Sequence, residues 1–166
     1  MKRASTVFFV SALCVLCALP LAAQSSSGVL NPTEVKKVVP STYFFRGQSA
    51  TTQVRNSAGF SDSGKLVLAG LVDTAGYSGD VQAKYKGFLI TEVKLNVEGH
   101  SFPPGQYGFG VKDGKFMLMD VGGNELLNTA SHTDAAMQRA VPLKITASGA
   151  GYRLYVGKEW VELKPE

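Results

Sequence analysis

The sequence is poor in the residues that most often carry chemistry. It holds two cysteines, two histidines and one tryptophan in 166 residues. Both cysteines, Cys14 and Cys17, lie inside an apolar N-terminal run, where a thiol acts as a small hydrophobe rather than half of a redox or zinc pair. Outside that run there is no thiol for a disulfide, a nucleophile or a metal site. His100 and His132 stand far apart and make no tetrahedral zinc set unless carboxylates join them. There is no Asp-rich calcium loop, no G-x-S-x-G elbow and no pair of carboxylates singled out for glycosidase work. The 17 lysines and arginines are scattered among 13 carboxylates, so no basic stripe exists for nucleic-acid binding. No apolar run reaches the roughly 20 residues that span a bilayer.

The N-terminus carries a recognisable pattern. Lys2 and Arg3 precede an apolar stretch from Val7 to about Leu21, which ends in the small residues Ala22 and Ala23. This is the three-part layout of a secretory signal peptide. Cleavage is expected after Ala23, leaving Gln24 first and lowering the formal charge from +4 to +2. The expected location is outside the cytoplasm, either periplasmic or extracellular, with no membrane span once the segment is removed.

Residues 24–31 are small and polar and read as a flexible leader. "PTEVKKVV" from Pro32 suits a short helix with proline at its first position. From residue 41 to 166 the pattern has period two, with turn residues at short intervals, and reads as one β domain. In "GFLITEVKLNVEG", Leu89, Thr91, Val93, Leu95 and Val97 share one face of a single strand over 87–98. "KLVLAGLVD", 65–73, is apolar on both faces and should be central or covered twice. Further strands are expected at 115–121 and 142–148, with a hairpin at Gly157-Lys158 and short helices over 79–86 and 133–139, the latter capped by Thr133. The expected fold is therefore all-β: a small antiparallel barrel or barrel-like sandwich of seven to nine short strands. An outer-membrane barrel needs strands of about 9–11 residues with an apolar outer band, whereas Glu92, Lys94 and Glu98 mark the outer face of 87–98.

"GQYGFGVKDGK", 105–115, superficially suggests a phosphate-binding loop. The glycine spacing is wrong for it, Phe116 replaces the magnesium-binding hydroxyl, and a strand rather than a helix follows. A turn, a strand, an Asp113-Gly114 hairpin and a return strand account for every residue. Gly108 and Gly110 then bare one strand face, which the protein's own aromatics are expected to cover. "PPGQY" resembles the Pro-Gly-x-Tyr step that leads into a strand in many secreted β-sandwich domains. That resemblance implies a Tyr107 hydroxyl bonded back across the corner.

The segment that folding explains least is "STYFFRGQSATTQVRNSAGF", 41–60. Aromatics beside planar hydrogen-bonding groups suit a sugar, a carboxylate or a peptide. The candidate ligand-binding residues are Tyr43, Phe45, Arg46, Gln48, Gln53, Arg55 and Asn56. The plainer account makes it an edge strand with Phe44 in the core and Tyr43 and Phe45 at the rim. No cofactor motif is present. The sequence thus points to a non-enzymatic binding or interaction module whose partner is another exported protein or a small molecule. The alternatives are a hydrolase using His132 or His100 with a carboxylate, and a lipocalin-like carrier with an open apolar interior.

Overall fold

The computed structural model describes residues 27–166. The expected export segment lies outside them. The described chain forms two antiparallel sheets packed face to face, with two short helices. In chain order the elements are β1 (Gly28–Val29), α1 (Pro32–Val38), β2 (Thr42–Phe45), β3 (Gln48–Asp62), β4 (Lys65–Val72), α2 (Gly79–Lys84), β5 (Gly87–Thr91), β6 (Leu95–Val97) and β7 (His100–Phe102). They continue with β8 (Gly105–Lys112), β9 (Lys115–Met119), β10 (Glu125–Ala130), β11 (His132–Thr133), β12 (Val141–Ser148), β13 (Gly151–Gly157) and β14 (Glu159–Pro165). The large sheet runs β1-β3-β4-β5-β8-β9-β10, with β2 hydrogen-bonded to β3. The small sheet runs β12-β13-β14-β6-β7, with β11 on β14. Neither sheet closes on itself, so of the two architectures expected the sandwich is the one formed.

The large sheet is covered on both faces, as the pattern of 65–73 allowed. On one side Val67, Ala69, Leu89 and Phe109 meet Leu154, Val161 and Leu163 of the small sheet. On the other, Leu68, Val72 and Phe88 pack with Val35 of α1, Val81 of α2 and the aromatic side chains of β2. Alternate residues of β4 thus enter two different cores.

The predicted single strand over 87–98 is two strands in two sheets. The alternation nevertheless holds: Leu89, Thr91, Val93, Leu95 and Val97 are all buried. At the break, Thr91 Oγ1 donates to the Val93 carbonyl (2.7 Å) and accepts from its N–H (3.2 Å). Glu92 N–H donates to Leu66 O (2.9 Å), and Leu66 N–H donates to the Glu92 carboxylate (2.7 Å). The corner is therefore hydrogen-bonded through side chains, and the chain crosses to the facing sheet with its apolar face still turned inward.

Four two-residue hairpins share one chemistry. Arg46-Gly47, Ser63-Gly64, Glu98-Gly99 and Asp113-Gly114 all have positive φ at both residues, as a type I′ turn requires. They join Phe45 to Gln48, Asp62 to Lys65, Val97 to His100 and Lys112 to Lys115. The step at Tyr107 also forms: its hydroxyl donates to Pro103 O at 2.7 Å.

Three further expectations are corrected. Part of the expected flexible leader is ordered: Gly28 and Val29 pair with Ser61 and Phe60, supplying a partner for the edge of β3. No helix forms over 133–139. Thr133 pairs with Glu159 as strand, and Asp134 Oδ1 accepts from Ala136 N–H (3.0 Å), a local bond that competes with helix. Fourteen strands are described rather than seven to nine, because the chain breaks at corners and adds two- to four-residue strands. The helix from Pro32 forms with a full capping box: Asn31 Oδ1 accepts from Thr33 and Glu34 N–H, and Glu34 Oε2 accepts from Asn31 N–H.

Candidate functional site

The seven candidate residues do not converge on one surface. They divide between a buried aromatic arm, a turn and a bulge. Tyr43 and Phe45 are 2% and 0% exposed, so the aromatics of the set are inside the second core and line no surface. The register set by the Arg46-Gly47 turn pairs Tyr43 with Ala50 and Phe45 with Gln48. That register sends Phe44 outward, 59% exposed, the reverse of the edge-strand expectation. Tyr43 stacks on Phe88 at 5.1 Å and Phe45 on Tyr85 at 4.0 Å. Burial without a hydrogen-bond partner raises the Tyr43 and Tyr85 hydroxyls well above the ordinary phenol range. Tyr77 is the third phenol of this core. Its hydroxyl donates to Phe45 O and Gln48 O at 3.1 Å, clamping both ends of the β2–β3 turn.

The bare face of β8 is closed by this arm. A Cβ on Gly108 would lie 2.5 Å from the Phe45 ring, and one on Gly110 would overlap the Lys84 carbonyl at the end of α2. One glycine is covered by an aromatic ring, as expected, and the other by helix backbone. Arg46 is exposed at its turn, with the stem of its side chain lying against Gly123.

Gln53, Arg55 and Asn56 belong to a large bulge. Thr52 pairs with Val72 but the next pair on β3 is Ser57 with Gly70, so β3 carries extra residues against β4. Polar side chains hold the bulge together. Gln53 Nε2 donates to Val72 O (3.2 Å), Asn56 Nδ2 to Gln53 Oε1 (2.7 Å) and Ser57 Oγ to Gln53 O (3.2 Å). Two of the three candidates therefore build the bulge, and the third, Arg55, is left exposed.

Arg55 stands at the edge of a groove of about 660 Å³, which α1, the bulge of β3 and β12 enclose. Its floor is Val29, Leu30, Val35, Val54, Ala58, Leu143 and Ile145. Lys36 of α1, Arg55 of β3 and Lys144 of β12 add three cations, and among the described residues no carboxylate lines it. Glu34, the acid of α1, is turned back onto the helix cap. Sequence reasoning reached only Arg55 of these, since the three cations are distant in the chain and no local pattern joins them.

The histidine alternative meets a different arrangement. His132 Nε2 lies 3.2 Å from Glu98 Oε2, and its ring stacks on Trp160 at 4.3 Å. The Arg153 guanidinium lies 4.0 Å from the Trp160 ring centre. The other Glu98 oxygen accepts from Glu162 N–H at 2.5 Å, so this carboxylate anchors a turn. Ser131 donates instead to Glu159 (2.5 Å), and Asp134 accepts from Tyr155 (3.3 Å). Ser131, His132 and Asp134 thus face three separate partners. His100 is exposed, with Nδ1 3.1 Å from Glu98 O.

Among the described residues no group of three or more His, Cys, Asp or Glu is placed to hold a metal ion. None of their helices is long and apolar enough to cross a membrane. No protein-family model, curated protein or solved structure matches the chain.

Proposed function

We propose that the chain is an exported, non-enzymatic binding module and that it binds through the groove between α1, the β3 bulge and β12. One observation carries this reading: an apolar-floored recess of about 660 Å³ opens beside an ordered bulge. That volume lies within the roughly 300–1,000 Å³ of small-molecule sites, and its floor of aliphatic side chains with a few charges has their composition. Export is supported by the N-terminal pattern, and N-terminal sequencing of secreted protein should begin at Gln24. The carrier alternative has less support, because the space between the sheets is filled by packed side chains such as Phe109, Phe116 and Leu154.

The test uses a neutral solvatochromic dye, Nile red, titrated into the wild-type protein and into Val29→Trp and Val54→Trp. Val29 is exposed and Val54 half-buried, so a tryptophan at either position has room to extend into the groove. Saturable blue-shifted emission at one dye per chain, lost in both variants while circular dichroism is unchanged, is the expected result. Equal dye binding by all three proteins would place the site elsewhere. The hydrolase alternative predicts esterase activity that His132→Ala abolishes. A binding module predicts none above the buffer rate.

A further inference from the structure

The groove is selective in charge as well as apolar. Its three ionisable lining residues, Lys36, Arg55 and Lys144, are all cationic and come from three separate elements. Among the described residues no carboxylate lines the groove. An apolar floor ringed by cations complements a molecule with an aliphatic body and an anionic end.

A peptide strand is the competing occupant, because β12 lies at an edge of its sheet. Strand addition needs an even ladder of free backbone groups. β12 shifts register between Val141 and Lys144, beside the groove, and β3 is bulged opposite it. The β3 wall offers no such ladder, and β12 is regular only from Lys144 onward, past its register break. Side-chain methylenes are the main contact that the floor presents, and they suit an acyl chain.

We propose, on the basis of the groove reading above, that the ligand is a free long-chain carboxylate. Its chain lies on Val29, Leu30 and Val54, and its head group meets Arg55 and Lys144 at the rim. Calorimetric titration of the full chain with C8, C10, C12 and C14 carboxylates, kept below micelle formation, is the direct test. Affinity should rise about two- to fourfold per added methylene, the upper figure being full burial. Dodecyltrimethylammonium should not bind, and dodecanol should bind about tenfold more weakly than laurate. Arg55→Gln with Lys144→Gln should weaken laurate by a similar factor and weaken Nile red by much less, and Val29→Trp should abolish both. Both glutamines are at exposed positions, so these variants are expected to fold.

Several results would overturn the inference. Equal binding of laurate and dodecanol would remove the role of the cations. Laurate binding that survives Val29→Trp would put the ligand elsewhere. Association with phosphatidylglycerol vesicles in place of free laurate would make the groove a membrane contact. Nile red bound in the groove with no laurate binding would sink the carboxylate assignment and leave the binding-module reading standing. Absence of dye binding as well would sink both.

Discussion

The ring of Phe45 lies over Gly108, so close that a methyl group added to the glycine would sit 2.5 Å from a ring carbon. The contact ties the aromatic arm, β2, to the middle of the large sheet. Gly108→Ala should cost about 1–3 kcal/mol by overpacking, and Phe45→Ala about 3–5 kcal/mol by leaving a cavity. The neighbouring Phe44→Ser should change stability by less than about 0.5 kcal/mol, because Phe44 is exposed. Urea unfolding of the three variants checks the order. Equal losses from Phe44 and Phe45 would contradict the register of β2.

The three phenols of the second core predict opposite effects of the same substitution. Tyr77→Phe removes the donor to two backbone carbonyls and should destabilise by about 1–3 kcal/mol. Tyr43→Phe and Tyr85→Phe remove buried hydroxyls that have no protein partner, and should be neutral or stabilising. Both hydroxyls are raised in the folded protein. Above about pH 10 the unfolded chain loses these protons while the folded one keeps them, so stability falls as pH rises. Tyr43→Phe and Tyr85→Phe should therefore flatten the alkaline limb of a stability–pH curve.

Glu166 controls an acid limb. Hydrogen bonds from Lys94, Ser101 and Asn96 hold its side-chain carboxyl down at about 2, against an ordinary value of 4.5. A lowered carboxyl contributes stability above its unfolded value and loses it as pH falls toward the folded one. The melting temperature should decline between about pH 5 and 2. Glu166→Gln should be less stable near neutrality and show a shallower decline. Raised salt should weaken the effect, because the Lys94–Glu166 pair is at the surface.

The corner at Thr91 gives a fourth prediction. Thr91→Val keeps the shape but leaves the Val93 N–H and carbonyl without their side-chain partner. About 1–3 kcal/mol of stability should be lost. Hydrogen exchange should rise first at residues 92–95, where the chain passes between the sheets. Protection unchanged there would mean that the corner is held by packing alone.

Much of this architecture was legible in the sequence because it depends on side-chain period. The doubly apolar 65–73 marked a strand that is central or covered twice, and the alternation through 89–97 marked the buried face even though the strand breaks in the middle. Asp113-Gly114 marked one hairpin, and Arg46-Gly47 carries the same two-residue signal inside the segment read as a binding surface. Taking that signal as a turn would have fixed the register of Tyr43 and Phe45 and withdrawn both from the candidate site. Arg55 stood among the sequence candidates and Lys36 and Lys144 did not, because a groove between three elements leaves no mark on the spacing within any one of them.

The sequence by itself determined the all-β class, the inward face of 89–97 and the Asp113-Gly114 turn, since these follow from backbone geometry and local periodicity. Tertiary structure alone decided which sheet each strand joined, which aromatic ring covered Gly108, and where apolar side chains remained open to solvent. Those outcomes depend on contacts between residues far apart in the chain. The same long-range packing that buried Tyr43 and Phe45 also assembled the groove from α1, the β3 bulge and β12.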